Sequence, residues 1–554
     1  MSDFTPRELT LGQILDRAVA RFPDREALVY VDRDLRQTWA AFAVAVDDMA
    51  KGLMALGVKK GEKVAVWATN VPHWVTLMFA TARIGAVLIT VNTNYRDSEL
   101  RYLLQQSECE NLFVIEGVRD HDFISSTYEV IPELRKQERG YLRSETLPHL
   151  KRVFFLGQDK HRGMYPLPEL MNLAADISPE TYERRKAEVS PYDVVNMQYT
   201  SGTTGFPKGV MLTHVNIGNN GYWIGKHQKF TEEDRVCLPV PLFHCFGCVL
   251  GVMACINHAA TMVLLESFSP LQVMATVEQE RCTALYGVPT MFQAVLDHRV
   301  FPRFDFHTLR TGIMAGSVCP EALMRRVMES MYMREITICY GLTEGSPVMT
   351  QTRVGDSFER KVQTVGRHMP GIDVRILDPD THEEVPRDTV GEVCCRGYNV
   401  MKGYYAMPEA TAEAIDTQGW LHSGDLGTMD AEGYVRISGR IKDMIIRGGE
   451  NVYPREVEEF LLQMEDIADV QVVAVPSRRY GEEVGAFIIA REGSDVAPED
   501  VRDFCRGQIA WYKIPRYVAV VTEYPLTASG KIQKYKLRQM AAEFFPEAMR
   551  ERGK

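Results

Sequence analysis

Hydrophobic and polar residues alternate along this chain in two recurring patterns. Stretches such as 11–22 and 39–57 carry apolar residues three and four positions apart, which predicts amphipathic helices. Short continuous apolar runs predict buried strands, and the clearest are 63–69, 86–92, 111–117, 194–200, 260–267, 282–288, 311–317 and 336–341. Helices that alternate with buried strands over hundreds of residues indicate an α/β fold with mostly parallel sheets.

The pattern changes twice in the last third of the chain. After about Asp373 come short strand-like runs separated by turns, which predict a small β-barrel-like part. After Arg440 the chain carries its own helix and strand signals, enough for a small α+β domain. We therefore predict a large N-terminal domain of layered α/β subdomains over residues 1–440 and a small mobile C-terminal domain over residues 441–554.

Composition and charge narrow the function classes. The chain has 554 residues, of which 45% are hydrophobic and 25% charged, and its formal net charge is −11. This balance is typical of a globular protein and argues against nucleic acid as the main partner. The start has no basic-then-apolar signal pattern, and the longest apolar run, 249–265, is interrupted by Asn257 and His258. We expect a cytoplasmic protein without a transmembrane segment, with a homodimer as one assembly to test.

Eleven cysteines in such a chain are expected to be reduced, mostly buried thiols. Cys245 and Cys248 form a CxxC pair beside His244. A zinc or redox site would need a second pair or further histidines at ligand spacing, and the sequence shows neither nearby. Ordinary buried thiols are the favoured interpretation, and a metal site or disulfide is the alternative.

The run YTSGTTGFPKG, residues 199–209, is rich in glycine, serine and threonine. Small residues let backbone N–H groups and hydroxyls close around an anion, and Lys208 adds a positive charge suited to phosphate. It is not a Walker A loop, because Pro207 precedes Lys208 and Gly209 follows it. Such clusters also mark ordinary loops, so this run alone leaves both interpretations open.

Four further motifs follow the glycine-rich run. They are YGLTEGSPV at 340–348, GWLHSGDLG at 419–427, GRIKDMIIRGGENVYPREVE at 439–458 and LTASGKIQK at 526–534. Together and in this order, the five motifs resemble those of the adenylate-forming superfamily, which includes acyl-CoA synthetases, luciferases and the adenylation domains of peptide synthetases. Within it, the chain looks most like the medium-chain fatty acyl-CoA synthetase branch.

The resemblance implies a reaction in two steps. A carboxylate attacks the α-phosphate of ATP to give an acyl-adenylate and pyrophosphate, and the thiol of CoA then displaces AMP. ATP, CoA and Mg²⁺ are therefore expected, with a medium-chain fatty acid as the substrate. An aryl-CoA ligase, or an adenylase that loads a carrier protein, is the nearest alternative. A luciferase-like oxygenase and a nucleotide-sensing scaffold are more distant ones.

The resemblance also implies a role for each residue of the nucleotide site. Glu344 would hold Mg²⁺, a hard cation that prefers oxygen ligands. Thr343 would bond the α-phosphate and Tyr340 would stack on adenine. Asp425 would accept both ribose hydroxyls, and Arg440 would contact ribose or phosphate. The loop expected to hold the β- and γ-phosphates consists of Thr200, Ser201, Gly202, Thr203, Thr204, Gly205, Phe206, Pro207 and Lys208.

The resemblance also assigns different C-terminal residues to the two steps of the reaction. Lys531 would neutralise charge that develops at the α-phosphate during adenylation, and Lys442 would be the pivot for a domain rotation. Gly448 and Gly449 would line the pantetheine tunnel, although two glycines between apolar runs also predict a plain hairpin turn. The candidates for contacts with the phosphates of CoA are Arg447, Arg478 and Arg479.

The acyl pocket is expected near Phe243 and His244, with His244 in a positioning role because carboxylates arrive ionised and need no base. Cys248 stands where some long-chain relatives carry a gating tryptophan, which argues against a long-chain gating mechanism and leaves medium chains or aryl acids open. The other residues that the resemblance assigns to the substrate or adenine pocket are Gly316, Ser317 and Gly341.

Overall fold

The computed structural model describes residues 4–200, 207–317, 319–448, 450–526 and 532–546. The chain divides into two compact units, Met1–Val374 with Cys395–Leu421, and Arg375–Cys394 with His422–Lys554. The first is an α/β unit, as predicted. The boundary between the proposed domains at Arg440 stays a prediction.

The largest sheet of the first unit contains nine strands among the described residues. Six neighbouring strands pair in parallel, and antiparallel strands flank them at both ends. In sheet order they are Arg367–His368, Val348–Gln351, Thr337–Gly341, Thr311–Met314, Ala284–Gly287, Arg235–Leu238, Thr261–Leu264, Glu26–Tyr30 and Leu35–Thr38. Three of the six parallel strands are buried along their whole length and the other three over most of it, which explains why they are continuous apolar runs in the sequence.

A second sheet of the first unit has eight described strands. In sheet order they are Gly403–Tyr404, Lys208–Thr213, Val194–Thr200, Val87–Thr90, Lys63–Trp67, Asn111–Val114, Arg152–Phe155 and Met164–Pro166. Five successive pairings are parallel, and the strands Lys208–Thr213 and Gly403–Tyr404 add two antiparallel pairings at one edge. The glycine-rich run therefore connects two neighbouring strands at this edge.

Helices connect the strands of the first unit, and a short hairpin pairs Gly117–Val118 with His121–Asp122. Their starts follow the sequence signals: Thr10 and Thr213 accept hydrogen bonds from backbone N–H groups of the first turn, and several helices begin with proline. The α-helices of this unit are Leu11–Arg21, Trp39–Ala55, Pro72–Ile84, Asp97–Gln106, Phe123–Val130, Leu167–Asn172, Pro179–Ala187, His214–His227, Ala254–His258, Pro270–Gln279, Pro289–Leu296, Glu321–Ser330, Phe358–Gln363 and Pro408–Ala414, and Phe246–Met253 is π-helical. Of the described helices, none is both long and apolar enough to cross a membrane.

The short strands predicted after Asp373 form a four-stranded sheet in the described part of the chain. In sheet order these strands are Ile372–Leu377, Gly391–Gly397, Leu421–Met429 and Val435–Arg440. The last two form an antiparallel pair that carries Asp425 and Arg440 at directly opposite positions.

The C-terminal residues form an α+β arrangement, as predicted. Two long antiparallel strands, Ile467–Ser477 and Gly481–Ala490, are its centre. The other described strands of this sheet are Ile445–Arg447, Glu450–Val452 and Tyr517–Val520, and the helices are Pro454–Leu461, Pro498–Cys505 and Lys534–Phe544. Apolar side chains form separate hydrophobic clusters around this sheet.

Candidate functional site

The two described ends of the glycine-rich loop lie side by side. Thr200 and Lys208 are directly opposite each other in the antiparallel pairing of their strands. The carbonyl of Pro207 accepts a hydrogen bond of 3.1 Å from the hydroxyl of Tyr102. The predicted phosphate ligands Ser201, Gly202, Thr203, Thr204, Gly205 and Phe206 lie outside the described residues.

The turn after strand Thr337–Gly341 carries the predicted metal ligand. Thr343 and Glu344 are both buried, and Thr200 Oγ1 lies 3.5 Å from Glu344 Oε1. In the described parts of the chain, no cationic side chain lies within ion-pair distance of the Glu344 carboxylate. A buried carboxylate is costly without a cationic partner, so this oxygen-rich site fits a hard cation such as Mg²⁺.

Tyr404 links this carboxylate to the glycine-rich loop, although the sequence analysis did not assign it a role. Its hydroxyl donates to Glu344 Oε1 at 2.8 Å, and Lys208 Nζ lies 4.9 Å from the centroid of its ring. Burial and the adjacent charge of Glu344 raise the pKa of Tyr404, which keeps the phenol protonated as a donor. No sequence signal marks Tyr404, because a tyrosine after a glycine is common in loops and strands.

The segment that follows Gly397 supports the same turn. Asn399 Nδ2 donates to the carbonyl of Gly345 at 3.0 Å, and the backbone N–H of Met401 donates to the carbonyl of Glu344 at 2.9 Å. The predicted residue Gly341 cannot carry a side chain here, because an added Cβ would lie 1.8 Å from the carbonyl oxygen of Pro347. The close packing thus fixes the position of the turn.

Three other predicted ligands of the first unit lie beside its parallel strands. Tyr340 is half-buried and pairs with Thr350 across neighbouring strands. Gly316 and Ser317 follow strand Thr311–Met314 and are exposed, and Gly316 has a φ of +93°, a conformation that favours glycine. These placements agree with a surface open to a ligand.

The predicted acyl region is strongly apolar. Phe243 and His244 are half-buried, and every residue from 245 to 256 is buried. The Nδ1 atom of His244 accepts from the backbone N–H of Phe246 at 3.2 Å, which orients the imidazole ring. Cys248, at the position of the tryptophan gate, accepts a hydrogen bond of 3.3 Å from Gln198 Nε2.

All eleven cysteines belong to the described residues, and all are buried and free of disulfides. The expectation that the thiols are buried is therefore confirmed. Among the described residues, Cys245, Cys248 and His244 do not form a group of three adjacent metal-ligand atoms. The metal alternative for the CxxC pair has no support in this geometry.

In the second unit, Asp425 and Arg440 meet across two strands. Asp425 Oδ1 accepts from Arg440 Nε at 2.9 Å. The side chain of Asp425 is only 10% exposed, whereas that of Arg440 is 53% exposed. The carboxylate is thus held by a partner that itself reaches into solvent.

Glu392 holds the part of strand Leu421–Met429 that precedes Asp425, a role that no sequence motif indicates. Its Oε1 accepts from the backbone N–H of Gly424 at 2.8 Å, and its Oε2 lies 2.7 Å from Nδ1 of His422. Burial opposes ionisation, but the bonds from His422 and Gly424 outweigh it and lower the pKa of Glu392. Cys394 lies close to both side chains, as in a metal site, yet each oxygen of Glu392 already has a partner within the protein.

The predicted pivot is anchored by the last described helix. The carbonyl of Lys442 accepts from Arg538 Nη2 at 2.9 Å, and the neighbouring Asp443 forms a 2.7 Å ion pair with the same guanidinium. Desolvation, together with the nearby positive charge of Arg440, lowers the pKa of Lys442. Lys531 lies outside the described residues, and the described residues on either side, Leu526 and Ile532, form an antiparallel bridge.

Gly448 forms the turn of a hairpin between strands Ile445–Arg447 and Glu450–Val452. It has a φ of +63°, and its N–H donates to the carbonyl of Tyr480 at 2.8 Å. Gly449 lies outside the described residues. The hairpin interpretation is therefore correct for the local backbone, and the tunnel role stays a prediction.

Arg447 differs from the other candidates for CoA phosphate contacts. It is buried, its Nε lies 2.6 Å from Oε2 of the fully buried Glu483, and its Nη1 donates to the carbonyls of Trp511 and Tyr512. These contacts already use its guanidinium to stabilise the C-terminal fold. The exposed candidates are Arg478 and Arg479.

Comparisons with known proteins agree with this arrangement. The family model described as AMP-binding enzyme matches residues 15–405, and that of the AMP-binding enzyme C-terminal domain matches residues 456–531. The chain is 51% identical over 536 residues to "Putative acyl-CoA synthetase YngI" of Bacillus subtilis, covering 97% of this chain and 98% of that protein. It is 40% identical over 542 residues to the mitochondrial medium-chain acyl-CoA ligase ACSF2 of Rattus norvegicus, covering 96% and 87%.

A solved structure is similar over almost the whole length. The anthranilate CoA ligase AuaEII, crystallised with anthranoyl-AMP, has a TM-score of 0.84 and 26% sequence identity to this chain. The match covers 97% of this chain and 98% of that enzyme.

Proposed function

Since this chain belongs to the AMP-binding enzyme family, as one of its acyl-CoA synthetases, we propose that it joins medium-chain fatty acids to CoA in an AMP-forming reaction. The observation that carries the proposal is the buried carboxylate of Glu344 beside Thr200 and the glycine-rich loop. Such a carboxylate suits a metal ion that accompanies a nucleoside triphosphate.

Adenylation needs cations and fixed donors, because the attacking carboxylate and the triphosphate repel each other. Lys208 and the hydroxyl of Thr200 would hold the β- and γ-phosphates, and Thr343 would bond the α-phosphate. Mg²⁺, held by Glu344, would supply the positive charge that offsets the phosphates. The residues of the loop that lie outside the described parts would complete this phosphate site.

The ribose and adenine would each be held by residues of the predicted motifs. Asp425 would accept the two ribose hydroxyls while Arg440 keeps its carboxylate in place, and Tyr340 would stack on adenine. Gly316 and Ser317 would allow the ligand to approach the backbone closely. Lys531 would stabilise charge at the reacting phosphate.

Thioester formation would use a second pose of the C-terminal domain, reached by rotation about Lys442. Gly448 and Gly449 would line the pantetheine tunnel, and Arg478 and Arg479 would meet the phosphates of CoA. A flexible backbone at the pivot is needed for such a motion. The Arg538 contacts to the Lys442 turn would have to break or follow the rotation.

The acyl chain would lie against the apolar segment that begins at Phe243, with His244 as a positioning residue. Each buried CH₂ group contributes about 0.8 kcal/mol until the pocket ends, so straight chains of intermediate length should exceed acetate and palmitate in kcat/KM. The similarity to ACSF2, whose name gives medium-chain acids, supports this substrate class. An aryl acid is the second candidate, supported by the likeness to AuaEII.

The test is a panel of carboxylic acids, each scored by pyrophosphate release with and without CoA. We expect the highest kcat/KM for saturated straight-chain acids of intermediate length, and turnover that requires CoA. A best substrate that is aromatic, dicarboxylic or an amino acid would refute the substrate class. Adenylation without transfer to free CoA would favour a carrier-protein loader.

We make three wider proposals beside this function. The enzyme would serve lipid metabolism, act in the cytoplasm and form a homodimer. Fractionation of the source cells tests the location, and light scattering of the purified protein tests the assembly.

A further inference from the structure

The ring of Tyr404 lies between two side chains of opposite charge. The Lys208 ammonium lies 4.9 Å from the ring centroid, and the phenol donates to Glu344 Oε1 at 2.8 Å. Lys208 and Glu344 both belong to the part of the chain that the structure describes, and they do not form an ion pair with each other. We infer that Tyr404 is a positioning residue that keeps Lys208 and Glu344 apart and oriented, so that one remains available to phosphate and the other to Mg²⁺.

This inference rests on the proposed roles of Lys208 and Glu344, and electrostatics explains why a separator is needed. A lysine has a long, flexible side chain, and a buried carboxylate without a cationic partner attracts any cation within reach. A direct ion pair would neutralise both groups before the nucleotide arrives. An aromatic face attracts an ammonium more weakly than a carboxylate does, so a phosphate can still displace it.

The backbone holds the phenol in this place. Strand Gly403–Tyr404 pairs with the strand that begins at Lys208, with Tyr404 opposite Val210. The N–H of Tyr404 donates to Thr411 Oγ1 at 2.9 Å. The ring and the lysine therefore belong to adjacent strands of one sheet.

Two substitutions separate the two functions of Tyr404. Tyr404→Phe keeps the ring next to Lys208 and removes only the hydroxyl that bonds Glu344. Tyr404→Leu removes both contacts. The matched control is Tyr405→Phe, because this neighbouring phenol donates instead to Glu108 at 2.5 Å.

The measurement is isothermal titration calorimetry of ATP binding to the full-length protein, once with Mg²⁺ in excess and once in EDTA. For Tyr404→Phe we expect the affinity for MgATP to fall about tenfold, the factor that a hydrogen bond to a charged group supports. Its affinity for metal-free ATP should equal that of the wild type. Tyr404→Leu should weaken both, because Lys208 becomes free to pair with Glu344, and Tyr405→Phe should change neither.

A purely structural role would change ATP binding equally with and without metal. If Tyr404→Phe weakens both affinities by the same factor, or leaves both unchanged, the inference is wrong. A wild type that binds MgATP no more tightly than ATP would overturn it too, together with the metal role of Glu344. Failure of the proposed function itself is seen separately, as a wild type that releases no pyrophosphate with any acid. Since Tyr404→Phe removes a single oxygen atom, it remains the deciding variant even if Tyr404→Leu fails to fold.

Discussion

Arg440 donates from Nε to Oδ1 of Asp425 at 2.9 Å, across directly paired positions of two antiparallel strands. Because Arg440 is half exposed, an ion pair of this kind contributes at most about 1 kcal/mol to stability. The main effect of this ion pair is on the geometry of the aspartate. The arginine fixes one carboxylate oxygen of a nearly buried aspartate that is proposed to bind ribose.

The first prediction concerns this pair. Asp425→Asn keeps the shape of the side chain but replaces one of its two acceptor oxygens with a donor. We expect ATP affinity to fall roughly tenfold or more, since two hydrogen bonds to a charged acceptor are weakened. The melting temperature should stay close to that of the wild type. Calorimetric titration of ATP checks this, with the exposed Asp495→Asn as control, and unchanged affinity would refute the ribose role.

The second prediction concerns Glu344. Glu344→Gln preserves the shape and can still accept a hydrogen bond from Tyr404, but it removes the charge proposed to hold Mg²⁺. Adenylation should fall by about two orders of magnitude or more, in line with the loss of one preorganised electrostatic contact. Pyrophosphate release measures it, and the exposed Glu329→Gln serves as control. A rate within a few-fold of the wild type would exclude Glu344 as the metal ligand.

The third prediction separates the two steps. Lys531→Ala should abolish formation of acyl-AMP yet leave the conversion of supplied acyl-AMP and CoA largely intact. Lys442→Pro should do the reverse, because proline fixes φ near −65° and removes the freedom that a pivot needs. Each half-reaction is assayed separately. A folded variant that loses both halves equally would contradict the rotation about Lys442.

The fourth prediction concerns pH and Glu392. A carboxylate whose pKa is lowered by folding contributes stability that is present above its unfolded pKa and is lost as the pH falls through its folded pKa. Glu392→Gln should therefore destabilise the protein by about 1–3 kcal/mol near neutral pH. The difference should shrink as the pH drops below the unfolded value of about 4.3.

Denaturant unfolding of wild type and variant at several pH values measures this difference, with the exposed Glu492→Gln as control. ATP affinity should also fall, because Glu392 holds the strand residues just before Asp425. A stability difference that does not depend on pH would show that the charge of Glu392 is not what stabilises this segment.

The sequence predicted the fold well where local patterns decide it. The buried strands were visible as apolar runs because parallel strands are covered on both faces, and the helix starts carried their capping residues. The five motifs predicted Thr343, Glu344, Asp425 and Arg440 as site residues. The structure places the first two in one buried turn and the last two at opposite positions of paired strands, and their ligand roles stay predictions.

Tyr404, Asn399 and Glu392 were not predicted from the sequence. Each acts through a contact with a residue far along the chain, such as Tyr404 with Glu344 or Glu392 with Gly424, and no local pattern encodes such a contact. The pairing of Arg447, a candidate for a CoA contact, with the buried Glu483 was not predicted either, since the two residues are distant in sequence. Side-chain pairings between separate strands require the sheet registers, which only the structure supplies.

The most direct test of the central claim is the identity of the products formed from ATP, CoA and octanoate. Chromatography of the nucleotides and mass spectrometry of the thioester, with Lys531→Ala as the inactive control, follow both products in one reaction. The account predicts AMP, pyrophosphate and octanoyl-CoA in equal amounts. ADP with free phosphate, or AMP without any acyl-CoA from any acid tested, would contradict it.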